Sequence, residues 1–478
     1  AMGTKYYWKV VATDPSGSIT SSVMNFTVAV APEWTYSGEL FFDADISADG
    51  QYIVTGGKNF SAPSSERAIL RLFEVGSSTP LWTYAQSNEV MEVAISANGE
   101  YIAACMGGVS LFKNDDNSSI WYYATSEECG HIAISSDGNY IVANAGDRIY
   151  LFNKDSSTPL WYYEVDDTSD ARVAISADGK YIIAGFQDDK VYLFDRNSST
   201  PLWSYDVGDD VFSISMSSDG EYIGVTSDDI PDGNNIFLFD KDSSTPLWSF
   251  DTGRRTNIAI SEDGNYVALG TQSYSNVTGG SVYLFNRSSS TPLWTYNSTD
   301  STYWFNSIDI SSDGESIITG GGSGFGESWS DRVAEICLFT KSNNSKSCYN
   351  TTYGYIRAVS ISFDGRYSIS ASTVQTENNQ YSGNLLYFNN NNLISKLYLS
   401  PFSPRSNSQT STETRLHWFS GSDDRSNLTF DVYLDTDSDP TTKIADDITA
   451  FYYNLQCLDI NTKYYWKVVA TDGDGSVT

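Results

Sequence analysis

The sequence predicts an all-β protein: an eight-bladed β-propeller plus a β-sandwich that is split across the chain ends. Three observations support this prediction: a turn motif that recurs eight times, short strands that are apolar at consecutive positions, and a 17-residue segment present near both termini. No segment combines a sustained apolar period of 3.6 residues with helix caps, so we expect almost no helix.

The recurring turn is Ser-x-Asp-Gly, with Asn98 replacing Asp once. Its copies lie 39 to 51 residues apart, a period typical of propeller blades. A Leu-Phe or Tyr-Phe pair follows every turn, and Trp-x-Tyr or Trp-x-Phe occurs seven times. The turn glycines are Gly50, Gly99, Gly138, Gly179, Gly220, Gly264, Gly314 and Gly365, and the tryptophans are Trp34, Trp82, Trp121, Trp161, Trp203, Trp248 and Trp294.

Each unit is predicted to contain four strands. In the fifth unit these are Val211–Ser217, Glu221–Thr226, Ile236–Asp240 and Leu247–Asp251. The third strand is apolar at successive positions, which indicates that both faces of the sheet are buried. Radially stacked four-stranded blades bury both faces in this way.

Residues 33–400 resemble WD-repeat and quinoprotein-like β-propellers of prokaryotic, archaeal-type cell-surface proteins. The turn motif and the Trp-x-Tyr signature carry this resemblance, which implies a fold more than a function because propellers host many activities. Relatives include quinone-dependent enzymes, but no residue identifies a quinone site, and we expect no cofactor. The ring is expected to close through Glu33–Ser37 rather than Lys396–Ser400, because Trp34 fits the repeat and Leu397 does not.

The two ends of the chain carry nearly the same segment. Thr4–Thr20 and Thr462–Thr478 are identical at 14 of 17 positions, 458 residues apart. The C-terminal region resembles fibronectin type III-like or immunoglobulin-like sandwiches, with strands predicted at Thr414–Phe419, Leu428–Leu434 and Tyr464–Ala470. The predicted domains are the last two strands of such a sandwich (1–30), the propeller (31–400), and a sandwich lacking its last strand (401–478).

This recurrence predicts a string of modules. One arrangement is a covalent tandem array in which sandwiches and propellers alternate. The other is a filament in which the N-terminal strands of one subunit complete the sandwich of the next. Either arrangement would cover sheet edges that proteins normally avoid exposing.

Composition excludes some classes of partner. The net charge is −32, from 60 acidic and 28 basic residues. Such a chain repels nucleic acid, so we expect no nucleic-acid partner. No apolar run approaches the ~20 residues that cross a bilayer, so we expect no membrane span in this segment.

Aromatic residues near the longest predicted loops form a candidate surface for a glycan or protein partner. The loops Gly321–Arg332 and Thr373–Gly383, with the insertion Ser301–Phe305, should project from one face of the disc. The alternative is that the aromatic side chains cover the ends of blades seven and eight. The candidate residues are Tyr303, Trp304, Phe305, Phe325 and Trp329.

Catalysis finds little support in the sequence. The two histidines, His131 and His417, lie on predicted strands, and no nucleophile–histidine set, metal-binding cluster or phosphate loop is present. Carboxylates on the first strands would converge in the central channel, and that possibility stays open. We therefore expect a protein that is not an enzyme.

Calcium is the one ligand that the motifs suggest. Asp435, Asp437 and Asp439 alternate like the start of an EF-hand loop, but Pro440 stands where that loop needs glycine. Asp472 and Asp474 form a shorter pattern of the same kind. Solvated turns explain both segments better than a calcium site.

Five cysteines form no metal motif. Cys337 and Cys348 face each other across one predicted hairpin, with Cys348 at the position of the missing eighth tryptophan, and are predicted to pair. Cys105 and Cys129 form a second candidate pair. Ten sequons could carry glycans if the protein is exported: Asn25, Asn59, Asn117, Asn197, Asn276, Asn286, Asn297, Asn343, Asn350 and Asn427.

Taken as hypotheses, these features favour a non-catalytic extracellular or cell-surface structural protein, a repeating unit of a surface layer, stalk or filament. The alternative is an adhesive propeller that recognises glycan or protein through its long-loop face. A propeller enzyme is a third hypothesis.

Overall fold

A computed structural model describes residues 5–8, 11–14, 17–20, 24–27, 32–165, 171–228, 235–272, 279–300, 303–323, 333–352, 354–375, 381–390, 398–403, 413–421, 429–435, 441–448, 452–456, 465–471 and 476–477. These residues form 43 strands and one 3₁₀ turn, Ser64–Glu66, so the all-β prediction with almost no helix is confirmed. No helix within them has the length and apolarity to cross a membrane.

The first five strands precede the first complete blade. They are β1 (Lys5–Trp8), β2 (Val11–Asp14), β3 (Gly17–Thr20), β4 (Met24–Thr27) and β5 (Trp34–Ser37). β1 pairs with β4 and β2 pairs with β3, both antiparallel.

Eight four-stranded antiparallel sheets follow, as the eight turn motifs predict. Blade 1 comprises β6 (Leu40–Ile46), β7 (Tyr52–Lys58), β8 (Ala68–Glu74) and β9 (Trp82–Gln86), and blade 2 comprises β10 (Glu92–Ile95), β11 (Tyr101–Cys105), β12 (Val109–Lys113) and β13 (Ser119–Tyr123). Blade 3 comprises β14 (Cys129–Ile134), β15 (Tyr140–Ala145), β16 (Arg148–Asn153) and β17 (Trp161–Glu164), and blade 4 comprises β18 (Arg172–Ile175), β19 (Tyr181–Gly185), β20 (Lys190–Asp195) and β21 (Trp203–Asp206).

Blades 5 to 8 have the same order. Blade 5 comprises β22 (Val211–Met216), β23 (Tyr222–Ser227), β24 (Ile236–Asp240) and β25 (Trp248–Phe250), and blade 6 comprises β26 (Thr256–Ile260), β27 (Tyr266–Thr271), β28 (Ser281–Asn286) and β29 (Trp294–Asn297). Blade 7 comprises β30 (Trp304–Ile310), β31 (Ser316–Ser323), β32 (Val333–Thr340) and β33 (Asn343–Thr352). Blade 8 comprises β34 (Tyr355–Ile361), β35 (Tyr367–Gln375) and β36 (Tyr381–Asn389), with β5 as its fourth strand.

The eighth blade is closed by a strand from the start of the chain. β5 pairs with β36, with Leu386 opposite Thr35 and Tyr387 opposite Trp34. The Trp34 ring stacks on Phe73 of blade 1, at a centroid distance of 5.8 Å. The expected clasp is therefore confirmed, and it joins blade 8 to blade 1.

The repeated tryptophans link neighbouring blades. The Trp161 indole N–H donates to the backbone carbonyl of Arg196 in the next blade, at 2.7 Å. Six tryptophans make this bond, which explains why one residue type recurs at one register. The other five bonds run from Trp82 to Asn114, Trp121 to Lys154, Trp203 to Lys241, Trp248 to Arg287, and Trp294 to Lys341.

The turn motif also joins blades. Ser176 Oγ donates to the Asp178 carboxylate at 2.7 Å and accepts the Tyr181 N–H at 2.9 Å, which fixes the turn. Gly179 has φ +66°, and a Cβ placed there would lie 2.4 Å from the Tyr140 ring of the preceding blade. This position needs glycine for its backbone conformation and also for the close approach of the tyrosine.

The C-terminal strands form two further sheets. They are β37 (Tyr398–Ser403), β38 (Glu413–Gly421), β39 (Thr429–Asp435), β40 (Lys443–Ile448), β41 (Tyr452–Gln456), β42 (Tyr465–Thr471) and β43 (Ser476–Val477). One sheet has the order β37-β38-β41 and the other β40-β39-β42-β43. β37 pairs with β38, so Tyr398–Ser400 of the alternative closing strand belong to this sheet, while Lys396 and Leu397 lie outside the described residues.

Candidate functional site: the central channel

The central channel is the space enclosed by the eight inner strands, which are the first strands of the blades: β6, β10, β14, β18, β22, β26, β30 and β34. Each inner strand contacts the next, and β34 contacts β6, so the ring is closed. The residues four and two positions before the turn serine form two layers. The first layer holds Asp43, Glu92, His131, Arg172, Ser213, Asn257, Ser307 and Ala358, and the second holds Asp45, Ala94, Ala133, Ala174, Ser215, Ala259, Asp309 and Ser360.

The eight turns form a ring at one end of the channel. The residue after each turn serine lies next to its equivalent in the following blade, and backbone N–H···O=C bonds of 2.8 to 3.2 Å connect all eight turns into a ring. Phe363 of blade 8 is 3% exposed and packs with Ala48, Ala97 and Ala177 of blades 1, 2 and 4. Its ring therefore reaches across the channel and narrows this end.

Charged groups lie in the first layer on one side. The Glu92 carboxylate contacts His131 Nδ1, and the other ring nitrogen, Nε2, contacts the Arg172 guanidinium. Arg172 Nε also donates to the carbonyl of Phe212 at 3.0 Å. This chain crosses blades 2, 3, 4 and 5, so these ionisable groups hold blades to each other.

On the other side of the channel lie carboxyl groups whose pKa values are raised. Burial between the blades, reinforced by the charge of Glu92, raises the pKa of Asp43 to about 8. Burial also raises the pKa of Asp45 to about 6 and that of Asp309 to about 7. Each residue is half-buried by surface area because it faces the channel, but protein encloses it on the other sides, so desolvation of the charged form dominates.

These carboxyls accept backbone hydrogen bonds across blade interfaces. Asp43 accepts from the Val93 N–H at 3.0 Å, and Asp45 accepts from the Ile95 N–H at 3.1 Å. An inner strand pairs on one side only, so these amides would otherwise face the channel. The channel carboxyls therefore cap the free edge of a neighbouring inner strand.

In blade 5, serine hydroxyls accept the equivalent backbone hydrogen bonds. Ser213 Oγ accepts from Ile258 at 3.4 Å, and Ser215 Oγ accepts from Ile260 at 3.0 Å. Because an uncharged hydroxyl serves at the position that holds Asp45 in blade 1, the bond itself needs only an acceptor. Sequence reasoning missed this role, although the recurrence of Asp or Ser two residues before the turn serine was a usable signal.

The proposed aromatic surface is wrong for two of its residues. Tyr303 is 5% exposed and Phe305 is fully buried, and both belong to the core between blades 6 and 7. Trp304 is half-buried, with its ring 6.5 Å from that of Tyr355. Phe325 and Trp329 lie outside the described residues.

The calcium prediction falls mostly outside the described residues: Asp437, Asp439, Asp472 and Asp474 are not among them, and Asp435 is described only as a strand position. A different acidic cluster, Asp189, Asp209 and Asp210, brings three carboxylate oxygens within 4.8 Å of one another. Such clusters are common without an ion, and this cluster carries no assignment.

Both candidate cysteine pairs form disulfides. Cys105–Cys129 joins blade 2 to blade 3, and Cys337–Cys348 links two strands of blade 7. The register assigned to Cys348 was wrong by one residue, because Ser347 lies opposite Leu338, the position that tryptophan holds opposite leucine in blade 6.

The sequons lie in varied settings. Asn59 and Asn286 are half-buried, and the backbones of Asn25 and Asn343 lie in strands. Asn276 and Asn427 are outside the described residues. The exposed sequon asparagines are Asn117, Asn197, Asn297 and Asn350.

Comparison with known families agrees with this architecture. A model of the family described as outer membrane protein assembly factor BamB matches residues 66–211 and, in a second match, residues 145–310. Together these span residues 66–310, which is 245 of 478 positions. No curated protein matches the chain.

Proposed function

The chain belongs to the family described as outer membrane protein assembly factor BamB, a quinoprotein-like β-propeller family, and we propose that its propeller is a non-catalytic structural unit of an extracellular assembly. The assembly is a surface layer, stalk or filament in which sandwich modules link neighbouring propellers. The family name describes assembly of outer membrane proteins, and a shared propeller does not by itself transfer that activity.

The observation that carries the proposal is the repeated terminal segment and its fold. In the first copy Ala12 lies opposite Ile19, and in the second copy Ala470 lies opposite Val477. These pairs are related by the same 458-residue offset as the sequences. Two copies of one hairpin therefore flank one propeller, which is the arrangement of a repeating module.

The first copy also indicates how units connect. Its hairpin extends through the pairing of Lys5–Trp8 with Met24–Thr27. The second copy has the same Lys-Tyr-Tyr-Trp sequence at 463–466. We infer that a strand equivalent to Met24–Thr27, contributed by the neighbouring unit, adds to that segment and completes the sandwich. The contact between β37 and β42 supports packing of the two C-terminal sheets as a fibronectin type III-like sandwich.

Two further observations favour a structural role outside the cell. Two disulfides suit an oxidising compartment. The ionisable residues of the channel make contacts between blades, which supports a structural role for them.

Self-association tests this function. We expect the chain 1–478 to form concentration-dependent oligomers, because strand 24–27 of one copy exchanges its own partner, Lys5–Trp8, for the identical segment 463–466 of the next copy. A 31–478 variant should lose these oligomers. Light scattering across a concentration series measures both. Oligomers of equal size from the two variants would exclude strand linkage, and monomers at every concentration would exclude the assembly proposal.

A further inference from the structure

The acceptors that bridge the inner strands are distributed unevenly around the ring. Interface 5/6 uses only hydroxyls, from Ser213 and Ser215. Interface 1/2 uses only carboxyls, from Asp43 and Asp45. The charged acceptors are therefore not a general requirement of this propeller.

The carboxyls surround the blade in which the ring closes. At interface 7/8, Asp309 accepts from the Ile361 N–H at 2.9 Å, next to Ser307, which accepts from Val359 at 3.1 Å. At interface 8/1, Ser360 Oγ donates to Asp45 at 3.0 Å. Consecutive interfaces on both sides of blade 8 thus depend on Asp309 and Asp45.

The groups that face these carboxyls are mostly acidic. Glu92, on β10, acts on Asp43 and Asp45, while Asp45 and the turn residue Glu262 act on Asp309. The nearby basic side chains contact other groups. His131 contacts Glu92 and Arg172, and Arg357, on β34, lies over the Tyr355 ring and donates to Thr373.

We propose that Asp43, Asp45 and Asp309 make closure of the propeller around blade 8 sensitive to pH. In the neutral form each carboxyl accepts its amide without adding charge. In the ionised form the same atoms still accept, but the charges repel one another and Glu92 in a poorly solvated channel. Alkaline solution therefore loosens interfaces 7/8, 8/1 and 1/2, while interface 5/6 is unaffected.

The direction of the effect follows from proton binding. Burial raises the pKa of these groups to about 6 to 8, above the ~3.9 of an unfolded aspartate. Between the unfolded pKa of ~3.9 and the folded values of about 6 to 8, the folded chain therefore holds more protons than the unfolded chain. The contribution of these carboxyls to the free energy of unfolding is largest below the unfolded pKa and is lost as the pH rises through about 6 to 8.

Hydrogen exchange of the bridged amides, corrected for intrinsic rates, tests the proposal. From about pH 5.5 to about pH 8.5, protection of the Ile361 amide, bound to Asp309, should fall by roughly tenfold or more, and that of the Ile95 amide, bound to Asp45, by roughly fourfold, while that of the Ile260 amide stays constant. Asp45→Asn, which keeps the acceptor and removes the charge, should reduce the change at Ile95.

A second variant, which adds a carboxyl instead of removing one, keeps the test possible if Asp45→Asn does not fold. Ser215→Asp places a carboxyl at the equivalent position of blade 5 and should make the Ile260 amide lose protection at high pH. Equal pH dependence of all three amides in the unmodified protein would overturn the proposal. So would an Ile260 amide in Ser215→Asp that stays as protected at high pH as at low pH.

Discussion

Removal of residues 1–38 is expected to destabilise the propeller strongly, whereas removal of residues 1–30 should leave its stability nearly unchanged. The longer deletion takes away β5, whose Trp34 stacks on Phe73 and Tyr387 and whose Tyr36 packs edge-on against Phe73. It also exposes the unpaired edge of β36. Trp34 and Tyr36 are half-buried, so losing both should cost about as much as losing one fully buried aromatic side chain, about 3 to 5 kcal/mol.

Chemical unfolding followed by tryptophan fluorescence measures this difference. The 31–478 variant is the matched control, since it lacks β1–β4 but keeps the clasp. Superimposable unfolding curves for 31–478 and 39–478 would show that Trp34–Ser37 does not hold the ring.

Gly179→Ala is expected to lower the free energy of unfolding by about 2 to 5 kcal/mol. An alanine at φ +66° carries backbone strain of about 1 to 2 kcal/mol. The new methyl would also meet the Tyr140 ring at 2.4 Å, and forcing a methyl into a packed site costs about 1 to 3 kcal/mol.

Gly253→Ala separates these two terms. Gly253 has φ +60°, but nothing lies within 4 Å of its added Cβ. Its substitution should cost only the backbone part, and thermal or chemical unfolding of both variants gives the difference. A loss at Gly253 as large as that at Gly179 would mean that contact between the turn and Tyr140 contributes nothing.

Local repetition made most of the fold predictable. A Ser-x-Asp-Gly turn between apolar runs specifies a hairpin, and eight copies specify eight blades. In the fifth unit, the predicted strand Ile236–Asp240 has the observed bounds, and the other three differ by one or two residues. Trp34 identified the closing strand because it carries the Trp-x-Tyr signature of a fourth strand, although it precedes all of the first three strands of blade 8 in the sequence.

The sequence predictions were wrong where the local pattern of residues does not determine which way a side chain points. Tyr303, Trp304 and Phe305 are consecutive, and the pleat of the chain buries the first and third while the second faces outward. Seven residues separate Phe339 from Ser347 in blade 7, whereas eight separate Phe285 from Trp294 in blade 6, and this shorter hairpin explains the misplaced register of Cys348.

The channel was the least predictable part. Asp45 and Ile95 are 50 residues apart in sequence, and only the packing of blade 1 on blade 2 shows that the carboxyl of one caps the amide of the other. Ser360 and Asp45 are 315 residues apart. Contacts of this kind depend on the order of blades around the ring, which no window of sequence contains.

The mass of the protein isolated from its source, measured under native and denaturing conditions, tests the central claim most directly. A repeating structural module predicts a native particle that contains more than one propeller. The denatured polypeptide would then be far above 52.7 kDa in a covalent array, or near 52.7 kDa in a strand-linked filament. A native particle of one 52.7 kDa chain, monomeric at every concentration, would contradict the account.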